Sequence, residues 1–201
     1  MLEGARERAP SLLLGGCIAA VLVLAACDAG TTPVPTSKVN QLTLTEQDLP
    51  GFLAFYKGPQ VQLDNQGTNR TNASRFGREG GSIIRLHPAD STQTNGALVI
   101  ESRADLFKDS DGAKSDFALY QALLKRPTGS GVSQISIPGL TQDSIGVTFT
   151  EAGGRTLRFF RIAWRDRNVT AAITVEGFDG SVSQDQAIAL AKKQENHIKG
   201  A

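Results

Sequence analysis

Few side chains in this sequence could do chemistry. Its only cysteines are Cys17 and Cys27, and its only histidines are His87 and His197. A histidine works as a general base beside a nucleophile or as one of several metal ligands. His87 adjoins Pro88, His197 lies near the C-terminus, and neither falls in such a motif. A zinc site needs three or four ligands at recognisable spacing, and none is present. Asp109-Ser110-Asp111-Gly112 begins like a calcium loop. Counting Asp109 as position one, however, places Ala113 at five, Lys114 at six and Tyr120 at twelve, where an oxygen ligand, a glycine and a glutamate belong. The acidic pair reads instead as a helix N-cap. Gly77–Gly81, "GREGG", lacks the Gly-X-Gly-X-X-Gly spacing that cradles phosphate, and neither Gly-X-Ser-X-Gly nor Ser-X-X-Lys occurs. The sequence therefore implies no catalytic residue, no metal and no cofactor. Dispersed carboxylates of the glycosidase kind stay open, although nothing singles out a pair.

Both cysteines sit in the one long apolar run, residues 12–30. Arg6 and Arg8 precede it, and Leu12–Ala26 carries no charge. A membrane-spanning helix needs about 20 apolar residues, so this run is short. A charged start, a short apolar core and a small-residue end describe a secretory leader. Leu24-Ala25-Ala26-Cys27 resembles the lipobox of bacterial lipoproteins. Leu14-Gly15-Gly16-Cys17 has the same form, but only Leu12–Leu14 would serve as its apolar core, which favours Cys27. The resemblance implies a leader at residues 1–26, a diacylglyceryl group on the Cys27 sulfur, and cleavage before that cysteine. The mature chain would then be held by its acyl chains on the outer face of the cytoplasmic membrane. Two acyl chains on one residue anchor stably, because each buried methylene contributes about 0.8 kcal/mol and a single chain is only marginal.

Past the leader, 175 residues remain, with 19 basic and 18 acidic side chains. That length supports one domain with its own core. The even charge argues against nucleic-acid binding. Residues 27–41 comprise the lipidated cysteine and a Thr- and Pro-rich stretch read as a flexible tether, which leaves residues 42–201 as the single envelope domain. The stretch 65–81 is polar and Gly-rich and reads as a long loop. Residues 82–86 and 97–103 suggest strands. Ala113, Phe117, Tyr120 and Leu124 form one stripe of an amphipathic helix.

The second half is the more legible. Residues 144–150, 155–165 and 169–176 alternate apolar and polar positions around short polar turns, the pattern of an antiparallel meander. Ser183 and Gln186 form a capping box before a helix whose Ala187, Leu190, Ala191 and Ile198 face inward. Together these predict an α+β fold, an antiparallel sheet packed against two amphipathic helices that cover one of its faces. On the strand ending in Trp164, the face opposite the tryptophan carries Leu157, Phe159, Arg161 and Arg165. Apolar residues followed by two guanidiniums could floor a groove for an anionic amphiphile or a peptide carboxylate.

Residues 137–198 also resemble uncharacterised secreted and lipoprotein domains of actinobacteria and Chloroflexi. The similarity rests on "IPGLTQDSIGVTF", "RDRNVTAAITVEGF" and "AIALAKKQENHI". Where those domains place a glycine in the hairpin, this chain has Asp166-Arg167-Asn168. More distantly, the pattern is similar to the extracytoplasmic sensor domains of mycobacterial serine/threonine kinases and to the PsbP-like fold. The resulting expectation is a membrane-anchored, non-enzymatic envelope domain that binds a small ligand, a lipid or another envelope protein. The alternative is a lipoprotein hydrolase with dispersed catalytic residues.

Overall fold

A computed structural model describes residues 32–59, 75–125, 130–141 and 143–201. The leader and Cys27 lie outside the described residues, as does most of the polar stretch at 65–81. Seven strands form one fully antiparallel sheet: β1 (Phe52–Pro59), β2 (Arg78–Pro88), β3 (Ala97–Phe107), β4 (Ser130–Ile135), β5 (Ser144–Glu151), β6 (Leu157–Asp166) and β7 (Val169–Phe178). Two helices complete the fold, α1 (Ser110–Leu124) and α2 (Gln184–Lys199). The spatial order is β1-β2-β3-β7-β6-β5-β4, so the β4–β7 meander folds back and lays β7 against β3. The α+β architecture and the meander are as the sequence indicates.

The period-2 alternation of β6 sorts the core into two layers. Phe160, Ile162 and Trp164 point to one face, where they join Ala171, Ile173 and Val175 of β7 and pack under Ala187, Leu190, Ala191 and Ile198 of α2. Ala163 points to the other face. With Ala172, Ile145 and Val147 it packs under Phe117, Tyr120 and Leu124 of α1. The helices thus lie on opposite faces of the sheet rather than together on one. Both surfaces of β6 and β7 are apolar enough to need cover, so one layer of helices would leave the other face exposed.

Local chemistry fixes the helix starts. The Asp109 carboxylate accepts from the Gly112 N–H at 2.8 Å, and the Ser183 hydroxyl accepts from the Gln186 N–H at 3.2 Å. Gly112 has a packing role as well: a Cβ there would collide with the Phe76 carbonyl oxygen. The "DSDG" stretch is a helix start pressed against the turn before β2. It is not an ion loop.

The alternating Leu42-Thr43-Leu44-Thr45 forms no strand, and two further expectations change. Leu42 and Leu44 are buried between two 3-10 turns, Thr36–Gln41 and Glu46–Asp48, and the first strand begins only at Phe52. The supposed loop at 65–81 ends in strand, since Arg78–Gly81 belong to β2 and Arg78 pairs with Asp105 at 2.6 Å. The flexible tether assigned to 27–41 is packed over its C-terminal part, because Val34 is only 2% exposed. Val34 N–H donates to Asn168 Oδ1 at 2.7 Å, and Asn168 Nδ2 donates to the carbonyls of Val34 at 3.0 Å and Phe107 at 2.6 Å. The folded domain therefore starts near Val34, not at Leu42.

Asn168, only 2% exposed, makes three hydrogen bonds to backbone groups through its side chain. Asn168→Ala should lower stability by about 2–4 kcal/mol, since each stranded buried polar group costs about 1–3 kcal/mol. Urea denaturation checks this. A loss below about 0.5 kcal/mol would mean that the N-terminal segment is not held by this side chain.

Candidate functional site

The four residues singled out on β6 do not form one site. Arg161 and Arg165 lie four residues apart on the same face, about 13 Å along an extended strand. Ala163 sits between them, buried beneath α1. The helix divides the face into two separate environments.

Arg165 lies at the end of the sheet that carries the β6–β7 turn. Its Nε and Nη2 donate to Asp143 Oδ2, the former at 2.9 Å, and its Nη1 donates to the Arg167 carbonyl at 3.2 Å. With Thr141, Asp143, Asp166 and Arg167 it lines a polar cleft of about 250 Å³. All three nitrogens of this guanidinium are already engaged, so Arg165 holds structure together and offers a ligand little.

Arg161 is placed differently. The Phe149 and Phe159 rings, on partner positions of β5 and β6, stack with centroids 4.9 Å apart and planes 4° from parallel. The Arg161 guanidinium carbon lies 4.9 Å from the Phe149 centroid and 5.9 Å from that of Phe159, a cation–π arrangement. Among the described residues it makes no salt bridge. Both rings are buried, at 1% and 7% exposure, so the guanidinium roofs an aromatic floor. Leu157 lies half-buried at the end of this row, opposite Glu151.

Glu176, paired with Phe159 across the β6–β7 ladder, is an acid within electrostatic reach of Arg161. Burial pushes its carboxyl above the usual glutamate range and the Glu151 charge adds to that, while Arg161 opposes both. The site is thus one half-exposed guanidinium over two phenylalanines beside a carboxyl that resists ionisation.

The histidines are accounted for by local partners. His87 Nδ1 lies 2.7 Å from the Pro88 carbonyl oxygen, and His197 Nε2 lies 3.1 Å from Asp48 Oδ1. Among the described residues, no group of three His, Cys, Asp or Glu side chains is placed to hold a metal.

One buried acid went unremarked in the sequence. Glu195 faces the sheet from α2, only 2% exposed, and accepts the Trp164 indole N–H at 2.5 Å, with Lys199 Nζ 3.2 Å away. Its position in the inward stripe that runs through Ala191 and Ile198 is the signal that could have found it. Phe149 and Glu176 were visible as alternating residues, but their grouping with Arg161 needed the strand register.

Burial raises the Glu195 carboxyl, and the nearby Asp166 charge raises it further, against the opposing effects of Trp164 and Lys199. A carboxyl raised on folding contributes stability that is present below its unfolded value and lost as pH rises through its folded value. Glu195→Gln keeps an acceptor for Trp164 and has no proton to lose. Thermal melts of this variant should be less pH-dependent than wild type above the ordinary glutamate range and should show greater stability at neutral pH. Trp164, the chain's only tryptophan, reports the same titration by fluorescence. A variant less stable than wild type at neutral pH would show that the charged carboxylate is favoured in place.

No known family matches the chain, and no curated protein matches its sequence. Among solved structures, it is similar to the crystal structure of the extracellular domain of PknH from Mycobacterium tuberculosis. The TM-score is 0.62 at 14% identity, over 86% of this chain and 100% of that one. The likeness to kinase extracytoplasmic domains holds at the level of the fold. Among the described residues, no helix is long and apolar enough to cross a membrane.

Proposed function

We propose that this chain is an exported, lipid-anchored and non-enzymatic envelope domain that binds an anionic amphiphile at Arg161. The observation that carries the reading is the guanidinium held over the Phe149–Phe159 stack without a salt bridge among the described residues. A carboxylate or phosphate head accepts two parallel N–H bonds from such a group. Drawing the guanidinium outward uncovers the two rings, and an acyl chain can then lie on them and on Leu157. Head and tail are recognised by one movement.

The fold shared with an extracellular domain supports an exported binding role. The lipobox at Leu24–Cys27 supports anchoring through diacylglyceryl-Cys27. A hydrolase would want a base beside a nucleophile, whereas His87 and His197 face Pro88 and Asp48.

Two measurements test the proposal. Cys27→Ala should abolish metabolic labelling by palmitate in a lipoprotein-processing host, and labelling that persists would refute the anchor. Arg161→Glu should weaken binding of palmitate to the soluble domain about tenfold or more, since a charge-assisted hydrogen bond contributes about 1.5–3 kcal/mol. Arg165→Glu should leave the affinity nearly unchanged. Equal losses in both variants, or none in either, would remove the site.

A further inference from the structure

The N-terminal segment joins the domain at one end of the sheet. Besides the Asn168 bonds to Val34, Arg167 donates from Nη1 to the Thr32 carbonyl at 3.4 Å and from Nη2 to the Ile198 carbonyl. These contacts gather the incoming chain, the β6–β7 turn, the end of β3 and the end of α2 into one joint. Exposed Lys108 and Lys199 flank it. The opposite end of the sheet carries the β2–β3 connection and the start of β1, where Phe52 pairs with Pro88.

Chain length then sets orientation. Four residues lie between Cys27 and Thr32, a link of five Cα–Cα steps that spans at most about 17 Å. Strands β2 and β3 are 11 residues each, so the far end of the sheet lies about 35 Å from the joint. We infer that the β6–β7 end is the membrane-facing surface of this domain, held on a lipid bilayer by a link too short to let it turn over. The inference rests on acylation at Cys27. Lys108 and Lys199 then sit where anionic headgroups are. Leu53 and Phe55, 49% and 53% exposed near the start of β1, face away from the bilayer and do not dip into it. The Arg161 site stands between the two ends, midway along β6.

The test uses the full chain made in a lipoprotein-processing host and reconstituted in phosphatidylcholine–phosphatidylglycerol vesicles that carry a headgroup nitroxide. With Cys27 acylated and Cys17 in the leader, an added cysteine is the sole free thiol. Lys108→Cys marks the near end, and Thr94→Cys, also exposed, marks the β2–β3 turn. A fluorophore at residue 108 should be quenched about threefold or more than one at residue 94, given the reach of the link. A Gly/Ser insert of about 12 residues after Asp28 should erase that difference. Three results would overturn the inference. Equal or reversed quenching in membrane-bound protein removes the orientation and leaves the anchor intact. An unchanged difference after the insertion shows that a surface, not the link, sets it. Protein that never associates with vesicles removes the anchor as well.

Discussion

The Asn168 carboxamide is the interaction on which this architecture depends. It sits in a two-residue turn, buried, and engages the backbone of Val34 on one side and of Phe107 on the other. In return, the Asn168 carbonyl accepts from Phe107 N–H at 2.9 Å. One residue thereby joins the β6–β7 hairpin to the end of β3 and fixes where the chain enters the fold. Its neighbour Arg167 takes φ 51°, a left-handed conformation that disfavours side chains with a Cβ. The hydrogen bonds of its guanidinium to Thr32 and Ile198 offset that strain. An arginine at this left-handed position completes the joint through its side chain, which a glycine there could not do.

Around that hairpin the sheet is covered unequally. The Trp164 face is closed along its length by α2 and by the segment from Val34 to Leu44. Gln194 is a satisfied polar post within this layer: it accepts from Ser102 at 2.9 Å and donates to the carbonyls of Leu42 and Arg103. On the opposite face α1 covers the part around Ala163 and Ala172 and stops there. What it leaves includes the Phe149–Phe159 stack, which Arg161 shields with its own side chain. The candidate site is a consequence of the helix being shorter than the sheet is wide.

The parts legible in the sequence are those whose causes are local. Alternation within 144–176 marks three strands because neighbours in sequence are neighbours in the sheet. Asp109 and Ser183 mark helix starts because a cap needs only the next three residues. What was hidden depends on distant partners. Leu42 and Leu44 look like a strand but are held by Ser102 and Gln194, 58 to 152 residues away. Val34 looks like spacer because its anchor is Asn168. Parity placed Arg161 and Arg165 on one face correctly. Only tertiary packing could show that α1 passes between them and that Asp143 already occupies one of the two.

The central claim is that Arg161 and the phenylalanines beneath it form the binding surface. The most direct measurement is an NMR titration of residues 32–201 with palmitate, followed through backbone amides. The account predicts shifts concentrated at Thr148–Thr150, Phe159–Arg161 and Glu176, with the Thr141–Asp143 and Arg165–Arg167 amides unmoved. Shifts centred on the polar cleft around Arg165, with the Phe149–Phe159 region silent, would contradict it.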